Sequence, residues 1–212
     1  MIKKIVGFLI VTLLVNVAFA TPNEVILVRH ADKWLHPSSK WKNHHDWDLV
    51  LSPKGVVRSV LLAQYIIKNF GQPDYVFAAD PIDTASHTSA TRALATAGPI
   101  VSMLAKLDAK GFRIYYPFRG RDINELAHAL LTEKQYDKKT ILVIWDHQRM
   151  LALVHNLGAK QQFQRWPRKD FDSVFVLKYG DNGQLSNVQY LHNQYPIDKE
   201  VTWDDIANLG KK

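Results

Sequence analysis

Val25-Ile26-Leu27-Val28-Arg29-His30-Ala31-Asp32-Lys33 is a run of β-forming residues that ends in an adjacent Arg-His pair. An apolar run of this length bounded by polar residues reads as a buried strand, and in open α/β sheets ligands bind beyond the carboxyl ends of such strands. Arg29 and His30 therefore stand where chemistry is expected. A neutral imidazole is a competent nucleophile toward phosphorus, and a guanidinium beside it matches the oxygens of a phosphoryl group. The pair taken alone is ordinarily a solvent-capped strand end with a surface ion pair, so the rest of the chain has to overturn that reading.

Working outward, Leu51-Ser52-Pro53-Lys54-Gly55 opens a helix: Ser52 can cap, Pro53 is preset for the first turn, and apolar residues follow at Val56, Val57, Val60, Leu61, Ala63, Tyr65 and Ile66. Asp74 to Ala79 reads as a second strand, Ala90 to Leu107 as a second helix carrying Arg92, and Phe112 to Tyr116 as a short third strand. A helix from Ile123 to Leu131 precedes a fourth strand, Thr140 to Trp145, which ends in Asp146-His147. A short helix from Arg149 to Leu157 stops at Gly158. Ser173 to Lys178 and Leu185 to Leu191 then form a hairpin about the turn Gly180-Asp181-Asn182-Gly183, expected at the sheet edge. Strands alternating with helices imply a three-layer α/β/α sandwich with a mostly parallel central sheet.

The N-terminus has a different character. Met1-Ile2-Lys3-Lys4 followed by an apolar run from Ile5 to Ala20 has the charged and hydrophobic regions of a secretory signal peptide, and Ala18-Phe19-Ala20 supplies the small-x-small pattern for cleavage before Thr21. Residues 1–20 are thus expected to be a leader and 21–212 one domain, exported to the periplasm or beyond, without stable membrane insertion once the leader is removed. An uncleaved anchor is the alternative, since the apolar run approaches the lower limit for a spanning helix. There is no cysteine, which excludes disulfides, thiol redox chemistry and thiolate-bound metal. The formal net charge of +7 suits anionic substrates by steering. It is spread along the chain, and the terminal Lys211-Lys212 is too small a basic tail to imply a nucleic-acid partner.

Three blocks in order carry a family resemblance. Val28-Arg29-His30-Ala31-Asp32-Lys33, followed by Leu51-Ser52, Gly55, Arg58 and Leu62-Ala63, resembles the opening of the histidine phosphatase superfamily, which includes the phosphoglycerate mutases. It is nearest in pattern to bacterial members whose first motif runs R-H-A-E-K. Ser89-Ala90-Thr91-Arg92-Ala93 with Thr96-Ala97 is similar to the second block, and Ile141 to His147 to the block that delivers a second histidine. Trp166-Pro167 and Phe171-Asp172-Ser173-Val174-Phe175-Val176 resemble the W-P…F-D-x-V-W-V segment of the same subgroup. The resemblance implies a phosphoglycerate mutase-like fold and an enzyme that hydrolyses a phosphomonoester. His30 would be the nucleophile that becomes phosphohistidine, Arg29, Arg92 and His147 the clamp on the phosphoryl oxygens, and Lys33 a further phosphate contact. Arg58 fits the pattern as a structural or rim residue. No cofactor or metal is implied.

The acid that protonates the leaving oxygen stays open. Asp146 stands beside His147 and is favoured, Glu125 follows the mutase-like pattern, and Asp80 and Asp83 precede Arg92. Neighbours on a strand point oppositely, so Asp146 can serve only if the strand has already turned. Outside these blocks, residues 35–49 gather His36, His44, His45, Asp46, Asp48, Trp41 and Trp47. This segment reads as an aromatic-pinned loop beside the first strand, although its histidines leave a metal-dependent hydrolase as an alternative. A phosphoglycerate mutase-like phosphotransferase and a non-catalytic phosphate- or glycan-binding module are the others.

Overall fold

The computed structural model describes residues 20–34, 50–82, 91–107 and 112–208. The leader up to residue 19, the histidine-rich loop with Trp41 and Trp47, and Asp83 lie outside the described residues. Six strands form one sheet: β1 (Glu24–Arg29), β2 (Tyr75–Ala78), β3 (Ile114–Tyr115), β4 (Thr140–Trp145), β5 (Val174–Tyr179) and β6 (Leu185–Leu191). Their spatial order is β3-β2-β4-β1-β5-β6. The pairs from β3 to β1 are parallel, while β5 runs antiparallel to β1 and β6 antiparallel to β5. The hairpin expected at the sheet edge is there.

Val25 to Val28 and Ile141 to Trp145 are wholly buried, as strands covered on both faces must be, and this is why both read as continuous apolar runs. Helices α1 (Pro53–Phe70), α2 (Thr91–Leu107), α3 (Ile123–Thr132) and α4 (His147–Asn156) complete the layers. The chain steps in one direction across the sheet from β1 to β2 to β3, then back to β4. Right-handed crossovers therefore send α1 and α2 to one face and α3 to the other. Accordingly α1 packs on α2, and α3 packs on α4.

Helix α1 starts as its sequence requires. Ser52 is the N-cap, its side chain accepting from Gly55 N–H at 3.0 Å, and Pro53 opens the first turn. The helix ends at Gly71, whose φ of 76° suits a residue without Cβ. Its buried face, Gly55, Arg58, Ser59, Leu62, Ala63 and Ile66, repeats at helical spacing and includes one arginine, whose role belongs to the site below.

The structure differs from the sequence expectation at three points. Helix α4 begins at His147 rather than Arg149, because Asp146 follows β4 directly as the N-cap. The third strand is trimmed to Ile114–Tyr115. A fifth helix, α5 (Trp203–Ala207), had not been anticipated; a reciprocal capping box between Thr202 and Asp205 starts it, and it rests against α1. Among the described residues no helix is long and apolar enough to cross a membrane.

Candidate active site

Because β4 lies beside β1, the carboxyl ends of these two strands are neighbours. The last ladder pair is Arg29 with Trp145, and the next backbone N–H, that of His30, donates to Trp145 C=O at 2.9 Å. The chain leaves β1 for β2 on one side and leaves β4 for β5 on the other. The crevice between diverging connections is where open α/β sheets bind ligands. His30 and His147 stand at its two edges.

The His30 ring is buried, 4% exposed, and its Nδ1 lies 2.8 Å from the carbonyl oxygen of Ala31. A carbonyl only accepts, so Nδ1 carries the hydrogen and Nε2 keeps the lone pair. Burial pushes the His30 pKa well below the ordinary imidazole value, and the charges of Arg92 and Arg29 push the same way. The ring is therefore neutral at neutral pH, with the nitrogen remote from the backbone available for bonding.

The turn after His30 is held from two sides. Ala31 N–H donates to Thr96 Oγ1 at 2.9 Å, and the Thr96 hydroxyl donates to Arg92 C=O at 2.7 Å, which ties the turn after His30 to the first turn of α2. From α1, Ser52 N–H donates to Asp32 C=O at 2.9 Å, and a Cβ placed on Gly55 would lie 2.2 Å from that same oxygen. Arg58 then pairs with Asp32 through Nε and with Asp172 Oδ2 at 3.3 Å, while Nη1 also donates to Tyr195 C=O at 3.2 Å. The Ser52, Gly55 and Arg58 spacing thus has one cause: each clasps the Asp32 turn. Arg58, 5% exposed, is structural and not a rim residue.

Arg29 is equally constrained. Its Nη1 donates to the carbonyls of Arg168 and Asp170, both at 2.8 Å, with Pro167 C=O at 3.5 Å. The ring of Phe171 lies 3.8 Å from its guanidinium carbon and 6.3 Å from the His30 ring. Burial, followed by the charge of Arg92, lowers the Arg29 pKa to about 10, which still leaves it cationic at neutral pH. Its Nε is buried without a hydrogen-bond partner.

His147, the first residue of α4, has its pKa lowered to about 4, chiefly by burial and then by Arg29, with Asp146 opposing and Arg168 and Arg165 adding to the depression. Its Nδ1 is likewise buried without a partner. Buried polar nitrogens are ordinarily satisfied. The exceptions here include Arg29 Nε and His147 Nδ1, on two side chains that act on His30 electrostatically, the arrangement expected of a site that receives an anion. Arg92 acts on both Arg29 and His30 through its charge, so the sequence-derived set Arg29, His30, Arg92 and His147 forms one electrostatic cluster.

Asp146 has a structural task. Its Oδ1 accepts from Gln148 N–H at 2.9 Å and Arg149 N–H at 3.2 Å, and its Oδ2 pairs with Arg149 at 3.2 Å. Glu125 lies exposed in the first turn of α3. Asp80 pairs through its backbone with the segment around Arg119, and its Oδ1 accepts from Ile82 N–H at 2.8 Å. Lys33 forms an antiparallel bridge with Leu51 at the mouth of β1. Among the described residues no group of three metal-ligating side chains assembles. The sequence reading assigns no role to Thr96, Phe171 or Asp170, although Thr96 and Phe171 stand inside blocks that carry the resemblance.

No family model matches the chain, and no curated protein does either. Solved structures do resemble it. The protein histidine phosphatase SixA complexed with tungstate is 16% identical with a TM-score of 0.50, covering 80% of this chain and 96% of its own. Phosphoglycerate mutase from Plasmodium falciparum is 14% identical over 84% of this chain and 96% of its own, with a TM-score of 0.42. The ecdysone phosphate phosphatase from Bombix mori, in complex with tungstate, is 11% identical over 85% and 96%, with a TM-score of 0.48. The chain thus shares with the SixA structure its fold, a mixed α/β/α sandwich around a mostly parallel sheet.

Proposed function

We propose that this chain is a histidine phosphatase that hydrolyses a phosphomonoester through a phosphohistidine on His30. A fold hosts many functions, so the reading rests on the site. One observation carries it: a buried neutral imidazole, its tautomer set by Ala31 C=O, lies in one electrostatic cluster with Arg29, Arg92 and His147, with Arg29 Nε and His147 Nδ1 unpartnered.

The chemistry follows from that arrangement. The Nε2 lone pair of His30 forms a bond to phosphorus as the bond from phosphorus to the leaving oxygen breaks, and that oxygen takes a proton from an acid. Water then attacks the phosphohistidine and gives its proton to the same acid, now a base, while the P–N bond breaks and the electron pair returns to Nε2. Positive charge from Arg29 and Arg92 stabilises the phosphoryl oxygens in a step that needs little other covalent help. Asp146, Glu125 and Asp80 are the acids to be separated by experiment, and Lys33 is a further phosphate contact at the rim.

The proposal includes export, supported by the leader-like residues 1–20. Removal at Ala20 leaves a chain starting at Thr21, which intact mass of the protein purified from its native envelope reads directly.

The deciding experiment is turnover of p-nitrophenyl phosphate by residues 21–212 and by the His30→Ala variant. The wild type should turn over and, quenched during turnover, carry an acid-labile, base-stable phosphoryl group. The variant should do neither. Full activity in His30→Ala would sink the mechanism.

A further inference from the structure

The pocket carries more positive charge than one phosphoryl group needs. Arg29 and Arg92 already provide two guanidinium groups beside His30. Two more, Arg165 and Arg168, act on His147 from the segment between α4 and β5, against the single carboxylate of Asp146. Both are exposed, and neither is in an ion pair with a described residue.

That segment is fixed against the site rather than loosely draped over it. Trp166, buried between the two arginines in sequence, donates from Nε1 to Asp170 C=O at 3.0 Å. Asp170 Oδ2 accepts from Ser173 Oγ at 2.7 Å and from Tyr190 OH at 3.2 Å, so its carboxylate is spent within the segment. Arg29 grips the backbone of Arg168 itself, at 2.8 Å. The nearby carboxylates are committed elsewhere: Asp32 and Asp172 to Arg58, and Asp146 to Arg149 and the cap of α4. What remains is a pair of exposed cationic side chains on a fixed stretch of backbone, close enough to His147 to act on it by charge, with the Arg168 carbonyl held by Arg29.

We infer that Arg165 and Arg168 form a second anion subsite, and that the substrate is a phosphomonoester bearing another anionic group, a carboxylate or a second phosphate, beside the one that is cleaved. This rests on the phosphoryl pocket proposed above and names the class of molecule that fits it. A guanidinium fork accepts either anion through paired N–H donors.

Binding can be separated from chemistry with phosphonates, which occupy a phosphoryl pocket without being cleaved. Calorimetric Kd values for phenylphosphonate, 4-carboxyphenylphosphonate and 1,4-phenylenediphosphonate should be measured on residues 21–212 and on the Arg165→Ala/Arg168→Ala double variant. In the wild type the second anion should tighten binding about tenfold or more, an advantage that shrinks as salt is raised. In the double variant the ratio between doubly and singly substituted ligands should fall to within about twofold of one; general damage to the pocket cancels in that ratio. The two doubly anionic ligands separate a preference for carboxylate from one for phosphate. A ratio near one in the wild type, or one unchanged by the double substitution, overturns the subsite even if p-nitrophenyl phosphate is turned over. An intact ratio without turnover overturns the phosphatase reading alone, and failure of every phosphonate to bind overturns both.

Discussion

The backbone N–H of His30 donates to the carbonyl of Trp145 at 2.9 Å, which continues the β1–β4 ladder one step past its last residue pair. This bond places the two histidines, 117 residues apart by their numbers in the chain, at adjacent strand ends. The helix after β4 starts after a single capping residue, so His147 is held by secondary structure on both sides. Preorganisation of this kind is what electrostatic catalysis requires.

Both histidines should titrate outside the ordinary range. His30 is depressed by burial, Arg92, Arg29 and His147, against the Ala31 hydrogen bond; His147 is depressed to about 4 by burial, Arg29, Arg168 and Arg165, against Asp146. A group whose folded pKa lies below its unfolded value contributes stability that is full above the unfolded pKa and is lost as pH falls through the folded one. Stability should therefore decline from about pH 6.5 downward toward pH 4, since the unfolded chain binds protons that the folded rings refuse. Imidazole NMR titration of the ligand-free protein checks this, with His147 expected near 4 and His30 well below the ordinary imidazole value; midpoints near 6.5 for both would mean that the site is open to water.

The leaving-group acid can be identified through substrate dependence, because an alkoxide needs a proton in the transition state whereas p-nitrophenolate departs without one. Asp146→Asn should slow alkyl phosphate hydrolysis far more than p-nitrophenyl phosphate hydrolysis if Asp146 is the donor. Its carboxylate caps α4, so the same variant also reports on stability: asparagine still caps but cannot pair with Arg149. Glu125→Gln is the matched comparison. Selective loss in Glu125→Gln alone assigns the acid to α3, and selective loss in neither directs attention to Asp80 and Asp83.

Gly55→Ala should destabilise the protein, although alanine is the better helix former by about 1 kcal/mol. The added methyl would meet the Asp32 carbonyl at 2.2 Å, and its neighbours there are all backbone atoms. The turn that carries His30 must then move, at a cost on the order of 1–3 kcal/mol. A lower urea midpoint together with lower kcat is expected; an unchanged midpoint would show that α1 does not clasp the turn.

Much of this protein was legible from local pattern. The β1 and β4 runs, Ser52 with Pro53 at the start of α1, and the Gly180 to Gly183 turn depend on interactions within a few residues, so their elements were found nearly to the residue. The Arg29-His30 pair likewise announced its own place, since a buried parallel strand delivers whatever ends it to the ligand side of the sheet.

Tertiary structure alone decided the rest. Which carbonyls Arg29 would engage depended on a segment more than a hundred residues away, and which nitrogen of His30 would stay free depended on the direction of one backbone carbonyl. Whether Arg58 was structural or a rim residue was decided only when Asp32 and Asp172 closed around it, and Asp146 became a helix cap because β4 ends at Trp145, directly before it. Sequence by itself determined the elements and the residue types at their ends, because periodicity and capping are short-range. The partners of charged and polar groups are long-range; they were settled only when the sheet order brought β1 beside β4 and β5.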